Sequence, residues 1–264
     1  MSSVFAPDLY AGKVVFVTGG SSGINLGIAH AFGRLGAKVA INGRKPDKLE
    51  AAVGALRERG VRAEGYAADV RDYAALEGAI ESAKTALGPI DVLVCGAAGN
   101  FPAPVAAMSS NGFKAVMDID VLGTFNACRA AFDRLAKPGA AVIAISAPQA
   151  QVPYPMQAHV CAAKAGVDML VKTLAMEWGG AGVRVMSIWP GPIDETEGMQ
   201  RLAGSPEIRA RIEQALPLKR FGTKDEVADL ALFLASPAAK YITGSVHAVD
   251  GGMSLCGGQL IGAM

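Results

Sequence analysis

The sequence predicts a single-domain, doubly wound α/β fold, a parallel sheet flanked by helices. Three observations carry this: short apolar runs alternate with segments of helical period, a glycine-rich turn follows the first run, and no linker-like stretch or repeat interrupts the 264 residues. The apolar runs at 14–17, 39–41, 92–94, 141–145, 183–188 and 245–249 lack polar alternation, as strands covered on both faces do. Between them, 46–58 places Leu49, Val53 and Leu56 at i, i+4 and i+7, and 225–235 puts Val227, Leu230, Ala231 and Leu234 on one face. Strand, helix, strand repeated this way builds parallel βαβ units. Residues 190–217 depart from the pattern and read as a polar, helical insertion that covers a cleft.

With 51% hydrophobic residues the chain can bury a sizeable core, and Lys+Arg 25 against Asp+Glu 24 leaves a net charge of +1, which argues against nucleic acid as a partner. Cys95, Cys128, Cys161 and Cys256 form no CxxC pair and no metal-ligand spacing, so reduced core thiols and no metal are expected. Residues 1–10 show no basic region followed by an apolar run, and Gly262-Ala263-Met264 carries no address signal. The uncharged stretches 92–113 and 138–158 are broken by Gly96, Gly99, Pro102 and Pro104 and by Pro148, Pro153 and Pro155. They read as strands running into loops, not membrane spans. A cytoplasmic protein is expected.

The turn after the first strand is Thr18-Gly19-Gly20-Ser21-Ser22-Gly23-Ile24-Asn25, followed by a helix with Ile24, Ile28, Ala31 and Leu35 on one side. Glycines at such a turn let the backbone approach a pyrophosphate, whose charge the helix N-terminus favours. The second strand ends in Asn42-Gly43-Arg44-Lys45, without the carboxylate that would meet ribose hydroxyls; Arg44 and Lys45 suit a 2′-phosphate, so NADP(H) is the expected cofactor. The competing reading is that both are solvated charges at the start of the next helix.

These residues resemble the short-chain dehydrogenase/reductase family, a Rossmann-type fold. Its TGxxxGxG pattern is matched by Thr18, Gly19 and Gly23, with Asn25 in place of the last glycine, where tolerance of unusual backbone angles is expected to preserve the turn. The resemblance implies cofactor contacts from Ser21, Ser22, Asp69, Val70 and Ala97, from Lys164 of a YxxxK motif, and from Pro190, Gly191, Ile193 and Thr196. It extends to Asp250-Gly251-Gly252 and covers nearly the whole chain.

The catalytic positions depart from the family. Counting back from Lys164 puts Val160 where the Tyr belongs and Ala147 where the Ser belongs, and Asp120 takes the Asn position. Reduction of a simple carbonyl needs an acid beside its oxygen. The chain also resembles peroxisomal-type 2,4-dienoyl-CoA reductases in 97–101, in 116–120 with its Asp, in His159 with Ala163-Lys164-Ala165, and in 190–198. That resemblance implies an acyl-CoA thioester substrate, NADPH, and hydride delivery to the δ-carbon with a proton to the α-carbon. Asp120 and Lys164 are the expected catalytic pair. His159 is a further candidate, although it lies about 140° round the helix from Lys164. Asn100 and Phe101 are expected to border the substrate, and Tyr154 is a candidate substitute acid. Two other functions stay open: a carbonyl or 3-oxoacyl reductase or dehydrogenase whose acid is Tyr154 or water, and a non-catalytic nucleotide-binding sensor or assembly subunit. The family resemblance implies a homo-oligomer, commonly a tetramer, with 253–264 expected between subunits.

Overall fold

Seven parallel strands form one sheet in the order β3-β2-β1-β4-β5-β6-β7. They are β1 (Val14–Thr18), β2 (Lys38–Gly43), β3 (Ala63–Ala67), β4 (Val92–Cys95), β5 (Ala141–Ile145), β6 (Arg184–Pro190) and β7 (Val246–Val249). The helices are α1 (Gly23–Arg34), α2 (Pro46–Glu58), α3 (Tyr73–Leu87), α4 (Ser110–Met117), α5 (Gly123–Ala131), α6 (Ala158–Trp178), α7 (Glu197–Leu202), α8 (Pro206–Ala215) and α9 (Lys224–Ala235). This computed structural model describes residues 4–202 and 204–256, so most of the expected subunit-packing segment 253–264 lies outside the described residues.

Successive strand residues point to opposite faces, and here both faces are dry. On β1, Val15 and Val17 pack with Ile28, Phe32 and Leu56 on one side, while Val14 and Phe16 pack with Leu76, Ile80, Val167 and Val171 on the other. α1, α2 and α9 therefore cover one face, and α3, α5 and α6 the other. The continuous apolar runs follow from this double burial. β3 does not read from the sequence as an apolar run, because it is an edge strand of alternating burial, Ala-Glu-Gly-Tyr-Ala, that joins the sheet through backbone pairing with β2.

Residues 190–217 supply α7 and α8. Arg209 of α8 forks onto Asp194 in the loop after β6, with both N–O distances 2.8 Å, while Ile212 and Leu216 pack with Tyr154, Phe221 and Met253 in a satellite core. Cys95 and Cys128 are buried, as expected, but Cys256 is exposed at the end of a short helical turn. No helix among the described residues is long and apolar enough to cross a membrane, and among them no group of three His, Cys, Asp or Glu is placed to hold a metal.

Candidate active site

Strand register levels the C-terminal ends of β1, β2 and β4, since Thr18 lies opposite Asn42 on one side and Cys95 on the other. The strand order reverses between β1 and β4, and connections leaving in opposite directions open a crevice there. A cavity of about 620 Å³ occupies it.

The first wall is the turn after β1. Gly19 has φ +65°, and a Cβ there would lie 2.9 Å from the Ala97 Cα, so only glycine lets the two loops approach. Ser22 precedes α1 in extended conformation and its side chain makes no cap bond, so the first-turn N–H groups at the cavity have no side-chain partner. Such a helix start suits a pyrophosphate. Asn25 corrects one expectation: it lies within α1, and the positive φ angles fall on Gly19 and Gly23 instead. Its side-chain amide donates to the Gly96 carbonyl at 2.8 Å and the Gly19 carbonyl at 3.3 Å, tying the two loops together. Thr18 does not line the cavity; its hydroxyl accepts the Gly96 N–H at 3.0 Å and braces the β1 and β4 ends.

Ser21, Ser22, Gly23, Asn25, Arg44, Lys45, Asp69, Val70 and Ala97 all line the cavity. The Asp69 carboxylate is committed to Arg71, at 2.6 and 3.0 Å, and this guanidinium holds it below the usual carboxylate range. On the far side Pro190, Gly191 and Thr196 line the same cavity, with the Thr196 hydroxyl donating to the Ile193 carbonyl at 2.8 Å. Ile193 itself is buried and bridges to Gly222, fixing that loop from behind. The open helix start, the close loops and the basic rim fit a nicotinamide dinucleotide.

The chemical end of the cavity is built where β5 meets α6. Lys164 reaches it from α6, its ammonium donating to the Ile145 carbonyl at 3.0 Å and pairing with Asp120 Oδ2 at 3.0 Å. Asp120 sits on a π-helical turn, Asp118–Leu122, between α4 and α5; such turns widen a helix and recur at functional sites. Its carboxylate is fully enclosed, stands behind the wall and reaches the cavity through Lys164; Oδ1 accepts the Gly99 N–H at 2.7 Å. Ala147 and Val160 line the wall beside Lys164 without a hydroxyl between them.

The remaining candidates are placed less centrally. Asn100 lines the cavity at its exposed mouth, whereas Phe101 packs against His159 with ring centroids 4.4 Å apart and planes tilted by 55°. His159 is fully buried off the cavity wall, and burial lowers its pKa, opposed by the Phe101 backbone and the Asp120 charge, which favours the neutral ring. Tyr154 does not reach the Lys164 cavity. Its ring belongs to the satellite core under α8, and burial pushes its hydroxyl pKa up to about 12. The packing of 190–217 decides this, and a proline-flanked loop does not reveal it in sequence. Ser146, Gln149 and Ile119, which the sequence did not mark as site residues, also lie on the cavity wall. The signal for the first two was their place just after β5, where an open parallel sheet puts its ligands.

A family profile described as enoyl-(acyl carrier protein) reductase matches residues 19–254. The fold and the cleft define a nicotinamide-dinucleotide oxidoreductase, and the chain belongs to the short-chain dehydrogenase/reductase family. It is 41% identical over 251 residues to the peroxisomal 2,4-dienoyl-CoA reductase, (3E)-enoyl-CoA-producing, of Saccharomyces cerevisiae, covering 94% of this chain and 86% of that one. The peroxisomal 2,4-dienoyl-CoA reductase of Arabidopsis thaliana is 42% identical over 265 residues, 97% of this chain and 89% of its own. Among solved structures, a 7α-hydroxysteroid dehydrogenase complexed with NADH and 7-oxo glycochenodeoxycholic acid superposes with a TM-score of 0.87 at 28% identity. It covers 93% of this chain and 96% of that one.

Proposed function

We propose that the protein is an NADPH-dependent reductase of conjugated acyl-CoA thioesters, of the 2,4-dienoyl-CoA reductase type. The observation that carries this is the enclosed Asp120–Lys164 pair, 3.0 Å apart, behind a wall where Ala147 and Val160 replace the hydroxyls of carbonyl reduction. The two dienoyl-CoA reductases at 41% and 42% identity support the same reading.

The bound nicotinamide supplies a hydride. In the net reaction the δ-carbon takes that hydride, the γ,δ π electrons become the β,γ double bond, and the α,β π electrons bond a proton to the α-carbon, giving a 3-enoyl thioester. The residues serve the proton half. Lys164 faces the reacting chain and stabilises negative charge that develops toward the thioester oxygen. Asp120 holds the ammonium in place and, with it, supplies the proton through a water. A protonated carbon does not need a phenol at hydrogen-bond distance from a carbonyl oxygen, which is why Val160 is tolerated. Arg44 and Lys45 just after β2, with the Asp69 carboxylate on the same cavity occupied by Arg71, support NADPH over NADH.

We propose a homotetramer as the working form, consistent with the apolar side chains left exposed at Leu122, Phe125, Met169 and Met176. The test of function is NADPH oxidation with a 2,4-dienoyl-CoA, a 2-enoyl-CoA and a 3-oxoacyl-CoA. Turnover of the dienoyl thioester is expected, and preference for the 3-oxoacyl thioester would overturn the proposal.

A further inference from the structure

Removing two hydroxyls from a family site leaves a question of hydrogen bonding. The developing negative charge in a conjugated thioester collects on the thioester oxygen, and an enclosed site stabilises it with a preplaced donor. Near Lys164 the usual donors are spent or missing. The Lys164 ammonium gives two of its three hydrogens to Asp120 and the Ile145 carbonyl and its third to the proton-delivering water proposed above, so it acts on the oxygen through its charge; the Ser146 hydroxyl is directed at the Lys164 carbonyl at 3.4 Å, and Ala147 and Val160 have nothing to donate.

Gln149 stands on this same wall. It lies in the short helical turn Pro148–Ala150 that leaves the end of β5, close against α6, and its side chain lines the cavity. Its amide is tethered at one point: Nε2 donates to Gln157 Oε1 at 3.0 Å, and Gln157 is itself buried just before α6. The Nε2 group carries a second hydrogen that this bond does not use. Oε1 is enclosed and has no partner among the described residues, an unusual state for a buried carbonyl oxygen. An amide anchored by one hydrogen and uncommitted otherwise, on the wall of a substrate cavity, is a hydrogen-bonding handle.

We infer that Gln149 donates a hydrogen bond to the thioester carbonyl oxygen of the substrate, filling the role left by Ala147 and Val160. This rests on the acyl-thioester reading above. The carbonyl carbon is bonded to the α-carbon, so a proton delivered from the Lys164 side and an oxygen held by Gln149 belong to one bound pose. A neutral amide suits this position: it donates to a neutral carbonyl in the ground state and binds more strongly to the oxygen as charge develops.

The test compares a 2,4-hexadienoyl-CoA thioester with its thioether analogue, in which a CH₂ replaces the carbonyl, each titrated calorimetrically into the protein saturated with NADP⁺, where no hydride is available. The unmodified protein is expected to bind the thioester about fivefold more tightly, as one neutral hydrogen bond of ~1 kcal/mol allows. In Gln149→Met the thioester is expected to fall to the affinity of the thioether while the thioether is unchanged, and kcat with NADPH is expected to drop ~10²-fold, the usual loss for one oxyanion donor. An unchanged thioether affinity shows that the fold and the acyl channel survive. If Gln149→Met still discriminates between the two ligands, Gln149 does not hold the carbonyl and the inference falls alone. If the unmodified protein binds neither ligand, the acyl-CoA reading falls and the inference falls with it.

Discussion

Replacing Asp120 by Asn keeps an acceptor for the Gly99 N–H and removes the charge that faces Lys164. If the pair delivers the proton, Asp120→Asn lowers kcat on a 2,4-dienoyl-CoA by ~10²–10⁴-fold with NADPH affinity nearly unchanged. Breaking a buried pair also costs ~3–5 kcal/mol of stability, so the rate is measured well below the variant's melting temperature. An undiminished rate would reduce Asp120 to a brace for the Gly99 loop. Arg44→Asp tests the cofactor assignment: one charge-assisted phosphate contact is worth ~1.5–3 kcal/mol, so the ratio of NADPH to NADH affinities is expected to shrink about ten- to hundredfold. Equal dissociation constants in the unmodified protein would refute that preference. At this scale, motif spacing singled out Lys164 and Asp120, and the fold sets their side chains 3.0 Å apart. Gln149 was invisible because no motif contains it, and Tyr154 misled because its orientation is fixed by α8, far along the chain.

Among the elements, α8 is held by Ile212 and Leu216 in the satellite core and, in addition, by an exposed ion pair. The Arg209 guanidinium holds the Asp194 carboxyl down to about 2, and both side chains are well exposed, at 42% and 40%. A carboxyl depressed in the folded state stabilises it above its ordinary pKa and loses that contribution as pH falls from ordinary carboxylate values toward 2. Solvent screening limits the pair to roughly 0.5–1 kcal/mol. Asp194→Asn is therefore expected to raise the rate of limited proteolysis within 195–215 about two- to fivefold at pH 7, by the open population that this energy implies. The same cleavage in the unmodified protein should accelerate on acidification, and a rate independent of both changes would show that apolar packing alone holds α8. Legibility by element followed local apolar content: the central strands and the edge strand β7, with Val246, Ala248 and Val249, announced themselves, while β3, with Glu64 and Gly65 at the other edge, did not.

For the whole molecule, the parallel, doubly wound class and a cleft at the glycine-rich turn follow from alternating apolar runs and local chain chemistry, whereas the strand order is fixed by tertiary pairing that includes β3. Quaternary structure depends on surfaces that apolar periodicity does not single out. Light scattering is expected to give a mass near four times 27.1 kDa, and a monomer at working concentration would refute the tetramer.

The amide of Asn25 bridges the loops on either side of the point where the sheet reverses direction, and that bridge imposes an order on how this protein can change over generations. A Cβ on Gly96 would lie 2.1 Å from Asn25 Oδ1, so Gly96→Ala must push the amide off both carbonyls it serves. Once Asn25→Gly has occurred, the three atoms nearest to that Cβ, all of the Asn25 side chain, are gone. A double-mutant cycle is expected to show Gly96→Ala costing ~1–3 kcal/mol in the original background and far less after Asn25→Gly. Two positions 71 residues apart are thus coupled: while Asn25 bridges the loops, any side chain at position 96 displaces its amide, so a change at 25 has to come before a change at 96.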